Sequence, residues 1–296
     1  MTAADTLPES ERVCVVGLGL IGGSIVRALR SKGFRGTIDA VVADDDEARQ
    51  ARELGLVDEP FTDISQAVAK ATLVVVAVPL GSMTGVFAGM AGALSADAVV
   101  TDTGSTKLSV IREAQACFGD RIGRFVPGHP ISGTERSGLD AGFAELFERR
   151  RVILTPTPET DRDALARVEA LWRAVGAQVS EMDGAHHDEV LAATSHLPHL
   201  LAYTLVDTLA RMAERTEIFE YAAGGFADFT RIASSSPSLW GDIVTANHDA
   251  ILPVLDRYIG DLEAVRSAIA DGDRDRLTTT FTRAKMARDG FAAGKT

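Results

Sequence analysis

The stretch Val13-Cys-Val-Val-Gly-Leu-Gly-Leu-Ile-Gly-Gly-Ser24 decides the fold of the first half of the chain. An apolar run passes into three glycines spaced Gly17-x-Gly19-x-x-Gly22, and residues that favour a helix follow. This pattern is typical of a strand, a tight turn and a helix whose N-terminus faces a phosphate group. Gly17 permits the turn, Gly19 lets a pyrophosphate approach the backbone, and Gly22 lets the helix pack closely on the strand. The stretch therefore predicts a dinucleotide-binding βαβ unit.

An acidic residue indicates which dinucleotide is bound. Asp44 follows a second apolar run, 37–43, and lies about 20 residues beyond the glycine turn. A carboxylate there can hydrogen-bond the hydroxyls of an adenosine ribose, and it repels a 2′-phosphate, which favours NAD over NADP. The alternative is an ordinary βαβ unit with an acidic loop. The residues expected to contact the cofactor are Gly17, Gly19, Leu20, Ile21, Gly22, Asp44, Val78, Pro79 and Asp102.

The composition is that of an ordinary globular chain. Its 296 residues are 46% hydrophobic and 24% charged, enough for one large or two medium domains. No apolar run approaches the ~20 residues that span a bilayer, and no secretory signal begins the chain. The two cysteines, Cys14 and Cys117, have neither metal-site nor disulfide spacing, which favours a cytoplasmic protein. The net charge of −12 argues against a nucleic-acid partner.

Strand-like and helix-like segments alternate up to residue 182, and the strand pattern then ends. The predicted strands are 13–16, 38–43, 73–78, 98–101, 125–127, 152–154 and 178–181, and the predicted helices are 21–32, 46–54, 64–69, 86–94, 107–116 and 162–175. This alternation predicts an α/β fold with a doubly wound parallel sheet. We expect an NAD-binding Rossmann domain over 11–182 and an all-helical substrate and dimerisation domain over 183–296. Helical segments that are apolar on more than one face favour pairing with a second copy.

Two loops of the first half have residues suited to the cofactor groove. Val78 and Pro79 close the third predicted strand, where ligands of doubly wound sheets bind, although Pro79 is equally suited to a plain turn. Asp102-Thr-Gly-Ser105-Thr-Lys107 follows the next strand and supplies hydroxyl and backbone donors. Asp102 and Ser105 are also ordinary helix N-cap candidates.

His129 is the candidate proton acceptor. It ends the predicted strand 125–127, so it is expected at the catalytic edge of the sheet. Histidine is the side chain best suited to exchange a proton near neutral pH. A structural histidine is the alternative.

The second half contributes four histidines within a short stretch, His186, His187, His196 and His199. His196 and His199 can share one helix face, with Pro198 in the first turn or at a kink and Ser195 as the cap. Zinc is an alternative, but no HExxH spacing and no nearby cysteine supports it, so no metal is expected.

Farther along the chain, Asp228 and Arg231 are spaced to share one helix face. The carboxylate can then orient the guanidinium, whose fork binds both oxygens of a substrate carboxylate. An exposed intrahelical ion pair is the alternative.

These pieces together resemble the prephenate/arogenate dehydrogenase family of tyrosine biosynthesis. The stretches that carry the resemblance are Gly17-Leu-Gly-Leu-Ile-Gly-Gly-Ser24, Asp102-Thr-Gly-Ser-Thr-Lys107, His129-Pro-Ile-Ser-Gly-Thr-Glu-Arg-Ser-Gly138, Thr194-Ser-His-Leu-Pro-His199 and Gly225-Phe-x-Asp-x-Thr-Arg-Ile-Ala-x-Ser-x-Pro-x-Leu-Trp240. The resemblance implies an N-terminal Rossmann domain and a helical domain that forms a homodimer. One departure is Ser132, where the family pattern has alanine.

The resemblance also implies roles for individual residues. His129 would be the catalytic histidine at the substrate's ring hydroxyl, and Ser105 would assist there or at the nicotinamide. The residues implied at the substrate are Arg231, which would bind a carboxylate, Asp228, which would orient Arg231, His196 or His199, and Glu135, which would gate or tune the pocket. The implied reaction is oxidative decarboxylation of prephenate to 4-hydroxyphenylpyruvate with hydride transfer to NAD.

Several alternatives stay open from the sequence. Arogenate is the alternative substrate, and neither tyrosine feedback inhibition nor strict preference for NAD over NADP is settled. A two-domain NAD-dependent hydroxyacid dehydrogenase is the rival enzyme, although residues 183–257 contain no lysine for its usual catalytic role. A nucleotide-sensing binding protein is the rival from another class.

Overall fold

The computed structural model describes residues 7–134, 136, 138–212 and 215–293. The chain divides into two compact units, one ending at His248 and the other beginning at Asp249. The first unit contains both sheets and the candidate site. The second consists of helices.

The main sheet has six strands in the order β3-β2-β1-β4-β5-β6, and every neighbouring pair is parallel. Its strands are β1 (Arg12–Val16), β2 (Thr37–Val41), β3 (Glu59–Phe61), β4 (Leu73–Val76), β5 (Val99–Asp102) and β6 (Phe125–Val126). This order is that of a dinucleotide-binding sheet, whose topological switch point lies between β1 and β4. The predicted fold class is confirmed. Strand β3 was not predicted, because it is short, contains Pro60 and lies at the edge.

Helices cover both faces of this sheet. They are α1 (Leu20–Ser31), α2 (Asp45–Glu53), α3 (Ile64–Val68), α4 (Leu80–Ala91), α5 (Leu108–Phe118) and α6 (Arg162–Ala174). Successive residues of a strand point to opposite faces. Accordingly, Val13 and Val15 of β1 join one apolar core, which contains Trp172 of α6, while Cys14 and Val16 join a second core. Burial on both faces explains the unbroken apolar runs in the sequence.

A second, smaller sheet changes the predicted position of His129. Its strands are β7 (Gly128–Pro130), β8 (Arg151–Leu154) and β9 (Gln178–Glu181), with β7 antiparallel to β8. His129 therefore lies within β7, opposite Ile153, and not at the end of a parallel strand. The physical reason is Pro127, which has no N–H for the ladder and separates β6 from β7.

The rest of the first unit is helical. Its segments are α7 (Gly184–Leu191), a π-helical turn (Ala192–His196), α8 (Leu197–Ala210), α9 (Arg215–Glu220), α10 (Gly224–Thr230), a 3-10 turn (Arg231–Ser234) and α11 (Pro237–Ala246). Pro198 lies in the first turn of α8, as one of the two predicted alternatives states. The prediction of Ser195 as the cap is wrong, because Ser195 lies inside the π-helical turn that precedes the proline.

The second unit is built from α12, which runs over His248–Ala270 from the end of the first unit, and α13 (Arg274–Ala293). Gly272 separates the two helices with a φ of 64°, in the left-handed region that favours glycine. None of the described helices combines the length and the apolar character needed to cross a membrane.

Candidate active site

The glycine turn after β1 has the geometry of a pyrophosphate cradle. Gly17 has a φ of 93°, and a Cβ there would lie 2.8 Å from the Ala77 carbonyl oxygen and 3.0 Å from Val78 Cγ1. Around Gly19 the space is open, because an added Cβ would meet no atom within 4 Å. A Cβ on Gly22 would clash with the Gly17 carbonyl oxygen. Each glycine is thus needed for a different reason, and the opening at Gly19 fits a dinucleotide phosphate.

The start of α1 suits an anion. Gly19 is the N-cap and has no side chain to occupy the free amides, and the first turn carries no acidic residue. Leu20 and Ile21 begin the helix and are half-buried. The unpaired N–H groups and the positive dipole end of a helix favour a phosphate at this point.

Asp44 is exposed beyond the end of β2 and is also the N-cap of α2. Its Oδ1 accepts a hydrogen bond from the Glu47 N–H at 2.9 Å. This bond uses one carboxylate oxygen, so capping and ribose binding are compatible.

The loops after β4 and β5 reach the same edge. Val78 lies against Gly17, and Pro79 is the N-cap of α4. The carboxylate of Asp102, at the end of β5, is fully buried: Oδ2 pairs with Lys107 Nζ at 2.5 Å and accepts from the Gly104 N–H at 2.7 Å. Its Oδ1 accepts from the Gly128 N–H at 3.0 Å.

Lys107 and Asp102 together connect the end of β5 to β7, the strand that contains His129. Lys107 Nζ also donates to the Gly128 carbonyl oxygen at 2.6 Å, and its side chain is fully buried. Burial lowers the pKa of Lys107, although Asp102 opposes this shift. The half-buried Ser105 lies on the turn that this ion pair closes.

His129 is buried beside this link and bonded to His187. The His129 Nδ1 and His187 Nε2 atoms are 2.9 Å apart, and His187 Nδ1 is 2.8 Å from Asp188 Oδ1. Burial lowers the pKa of His129 well below its usual value, and neighbouring His187, Lys107 and His196 lower it further. A histidine in this environment is neutral near pH 7 and can accept a proton.

His196, in the π-helical turn, lies beside His129, His187 and Asp188, and we call these four residues together with Asn247 the histidine cluster. Asn247 Nδ2 donates to the Asp188 carbonyl oxygen at 2.9 Å and lies 3.0 Å from His196 Nδ1. Because the amide N–H₂ can only donate, Nδ1 of neutral His196 accepts and Nε2 carries the proton. That buried N–H has no hydrogen-bond partner within the part of the chain that the structure describes. Burial lowers the pKa of His196 to about 4.

His199 is linked to the histidine cluster through Trp240, whose ring also meets the His196 ring edge to face. His199 stacks on Trp240 with ring centroids 3.6 Å apart, and its Nδ1 lies 2.9 Å from the Ser195 carbonyl oxygen. Burial lowers the pKa of His199, the bond to Ser195 opposes this, and the nearby charge of Arg231 lowers it further. Arg231 is exposed at the start of the 3-10 turn. The structure thus brings His199, Trp240 and Arg231 together.

The roles predicted for Asp228 and Glu135 stay predictions. Asp228 is exposed on α10, so its orientation of Arg231 stays a prediction. Glu135 lies outside the described residues. Among the described residues, no group of three or more histidine, cysteine or acidic side chains is arranged to hold a metal ion.

Sequence reasoning missed several residues in and around the histidine cluster, namely Lys107, His187, Asp188, Trp240 and Asn247. Three of them, Lys107, His187 and Trp240, had been quoted only as parts of motifs or of the histidine-rich stretch, without a role. His187 and His129 are 58 residues apart in the chain, so no local spacing reveals their contact. The only local sign of this network in the sequence was the adjacent pair His187-Asp188, since a carboxylate next to a histidine can orient its ring.

The fold and the site define a class of protein: a nucleotide-dependent dehydrogenase with a dinucleotide cradle and a buried neutral histidine. Comparison with known proteins gives the family. Residues 25–181 match the model described as prephenate dehydrogenase, nucleotide-binding domain, and residues 183–283 match the model described as prephenate dehydrogenase, dimerization domain. The chain belongs to the prephenate dehydrogenase family, which confirms the resemblance found in the sequence.

Individual relatives agree with this assignment. Cyclohexadienyl dehydrogenase of Zymomonas mobilis is 43% identical over 280 residues, which cover 94% of this chain and 95% of that protein. Prephenate dehydrogenase of Bacillus subtilis is 34% identical, over 95% of this chain and 76% of its own length. The crystal structure of prephenate dehydrogenase from Aquifex aeolicus, in complex with hydroxyphenyl propionate and NAD+, has a TM-score of 0.87 and 35% identity, covering 94% of this chain and 97% of that one.

Proposed function

We propose that the protein is an NAD-dependent prephenate dehydrogenase, which converts prephenate to 4-hydroxyphenylpyruvate and CO₂ in tyrosine biosynthesis. The observation that carries this proposal is the buried, neutral His129 bonded to the network that starts at the carboxyl end of β5. Family membership and the relatives' substrates support it.

The cradle of Gly17, Gly19 and Gly22 would hold NAD, which would supply the hydride acceptor for the ring carbon that bears the hydroxyl. Leu20, Ile21, Val78 and Pro79 would line the same groove, and Asp44 would accept hydrogen bonds from the ribose hydroxyls. We assign the carboxylate of Asp102 to shaping the turn, because it is fully buried and is bonded to Lys107, Gly104 and Gly128.

His129 accepts a hydrogen bond from the ring hydroxyl and draws off the positive charge that develops as hydride leaves. Departure of CO₂ returns an electron pair to the ring, and the proton that His129 draws from the hydroxyl returns to the oxygen of the phenol product. Ser105 assists at the hydroxyl or the nicotinamide. The chain's task is to position the ring carbon and to polarise the hydroxyl, since aromatisation drives the step.

The substrate's anionic groups need local cations and donors in an acidic protein. Arg231 binds a carboxylate through its guanidinium fork, with Asp228 as its orienting partner and His199 beside it. His196 offers a buried N–H that lacks a partner among the described residues. Glu135 is assigned to gating or tuning the pocket.

The proposal extends to the organisation of the protein. Residues 11–182 bind NAD and residues 183–296 form the substrate and dimerisation domain, as the two matched family regions support. The partner is a second copy of the chain. Exposed apolar side chains along α12, at Leu252, Ile259, Leu262 and Ile269, are suited to that contact. The protein acts in the cytoplasm.

Arogenate is the alternative substrate, favoured by the similarity to the crystal structure of Synechocystis arogenate dehydrogenase, which is 28% identical with a TM-score of 0.79. The test is NADH formation by the purified protein with prephenate and arogenate in parallel, with NADP as the control cofactor. Turnover of prephenate with NAD is expected. Turnover of arogenate alone would change the substrate, and no turnover of either would contradict the function.

A further inference from the structure

Three side chains form a row that ends at the candidate base. His129 Nδ1 lies 2.9 Å from His187 Nε2, and the two rings meet edge to face, at 66°. His187 Nδ1 lies 2.8 Å from Asp188 Oδ1, and the His187 ring is fully buried. Each of these contacts needs one proton, so the positions of the protons are linked along the row.

The carboxylate end of the row fixes the direction of donation. Asp188 Oδ1 accepts from the Lys107 N–H at 2.8 Å, and Oδ2 accepts from the Leu108 N–H at 2.9 Å. Burial alone would raise the pKa of Asp188, but the hydrogen bonds from His187 and from these two amides lower it. The carboxylate is therefore ionised and can only accept, so His187 Nδ1 carries a proton.

The protonation of His187 in turn fixes that of His129. Burial keeps His187 neutral, so its Nε2 has a lone pair and must accept. The proton in the contact with His129 consequently lies on His129 Nδ1. In neutral His129 this leaves the lone pair on Nε2.

We propose that His187, held by Asp188, is a positioning residue that fixes His129 in the Nδ1–H tautomer and so presents Nε2 as the proton acceptor. The role rests on the proposed function, in which His129 polarises the ring hydroxyl. The opposite tautomer would place two lone pairs against each other in a buried contact, which is an unsatisfied arrangement. Asn247 braces the row by donating to the Asp188 carbonyl oxygen.

A matched pair of substitutions separates the two contacts of His187. The amide of glutamine reaches the position of Nε2 and can still accept from His129, whereas the shorter asparagine reaches only the position of Nδ1. We expect His187→Asn to lower kcat about 10- to 100-fold with little change in either KM. His187→Gln should lose only about threefold, because glutamine keeps the acceptor for His129. His186→Asn, at an exposed neighbour, is the control and should leave kcat unchanged.

Equal losses in the two His187 variants would overturn the proposal, as would a change confined to KM. Circular dichroism and the thermal midpoint of each variant show whether a loss of kcat comes from misfolding.

A second readout does not depend on turnover. In protein labelled with ¹⁵N-histidine, long-range ¹⁵N–¹H correlation spectra distinguish Nδ1–H from Nε2–H rings, and the His129→Asn variant identifies the His129 resonances by their absence. We expect the Nδ1–H tautomer in the wild type and in His187→Gln, and a mixture in His187→Asn. An Nε2–H ring in the wild type overturns this inference alone. No turnover of prephenate or arogenate by the wild type, with the expected tautomer of His129, would instead contradict the proposed function.

Discussion

At the scale of single residues, the chemistry depends on the environment of His129. The imidazole is buried, it lies near the buried Lys107, and its Nδ1 is occupied by His187. These features keep the ring neutral and leave one nitrogen for the substrate. A surface histidine would have neither property.

Replacing His129 by asparagine removes the proton acceptor and keeps a polar side chain. We expect kcat with prephenate and NAD to fall by roughly 10²–10⁴-fold, the usual contribution of a general acid–base group. Steady-state NADH formation measures the change, and His186→Asn is the control. Turnover near that of the wild type would exclude His129 as the base.

Arg231 is expected to act on binding more than on the chemical step. In Arg231→Gln the KM for prephenate should rise about 10- to 100-fold while kcat stays within a few-fold, because a carboxylate clamp holds ground and transition states alike. Arg211→Gln, at an exposed arginine that pairs with Asp207, is the matched control. An unchanged KM would show that Arg231 has only a structural role.

At the scale of elements, the Asp102–Lys107 ion pair ties the end of β5 and the start of α5 to β7. Both side chains are fully buried, and both reach Gly128, the neighbour of the candidate base. The pair therefore determines where His129 lies relative to the cofactor groove.

Lys107→Met leaves the Asp102 carboxylate buried without its counter-charge. We expect a loss of about 3–5 kcal/mol in the free energy of unfolding, measured by urea denaturation at neutral pH. The double variant Asp102→Asn/Lys107→Met should recover part of this loss, because the charge is gone. A loss below about 1 kcal/mol in Lys107→Met would mean that water or rearrangement compensates the charge.

Some elements could be predicted from the sequence and others could not. The turn from β1 to α1 was predictable because its glycines answer local demands: a positive φ at Gly17 and a close contact at Gly22. The second sheet was not, because the pairing of β7 with β8 joins residues far apart in the chain. The His129–His187 contact was missed for the same reason. Tertiary contacts, unlike turns, have no short-range pattern.

At the scale of the whole molecule, burying neutral histidines makes stability depend on pH. His196 in the folded protein takes up a proton only at pH values near its lowered pKa of about 4, whereas an unfolded histidine does so near about 6.5. Between these pH values the unfolded chain binds more protons than the folded protein. The contribution of His196 to the free energy of unfolding is therefore complete above about pH 6.5 and is lost as the pH falls towards 4. The shifts of His129 and His187 have the same sign.

We therefore expect the thermal midpoint to fall on acidification between about pH 6.5 and pH 4, and His196→Gln to show a shallower fall. Differential scanning calorimetry across this range measures both proteins, with His186→Asn as the control. Parallel curves for the wild type and His196→Gln would contradict the role of this histidine in the acid sensitivity.

The measurement that tests the central claim most directly is the stoichiometry of the reaction. Prephenate is supplied with excess NAD, and NADH, CO₂ and 4-hydroxyphenylpyruvate are quantified in one sample. Oxidative decarboxylation predicts that the three products appear in equal amounts and at the same rate, and that His129→Asn slows all three together. NADH without CO₂ would indicate oxidation of a hydroxyl group, as in a hydroxyacid dehydrogenase, and would contradict the proposed reaction.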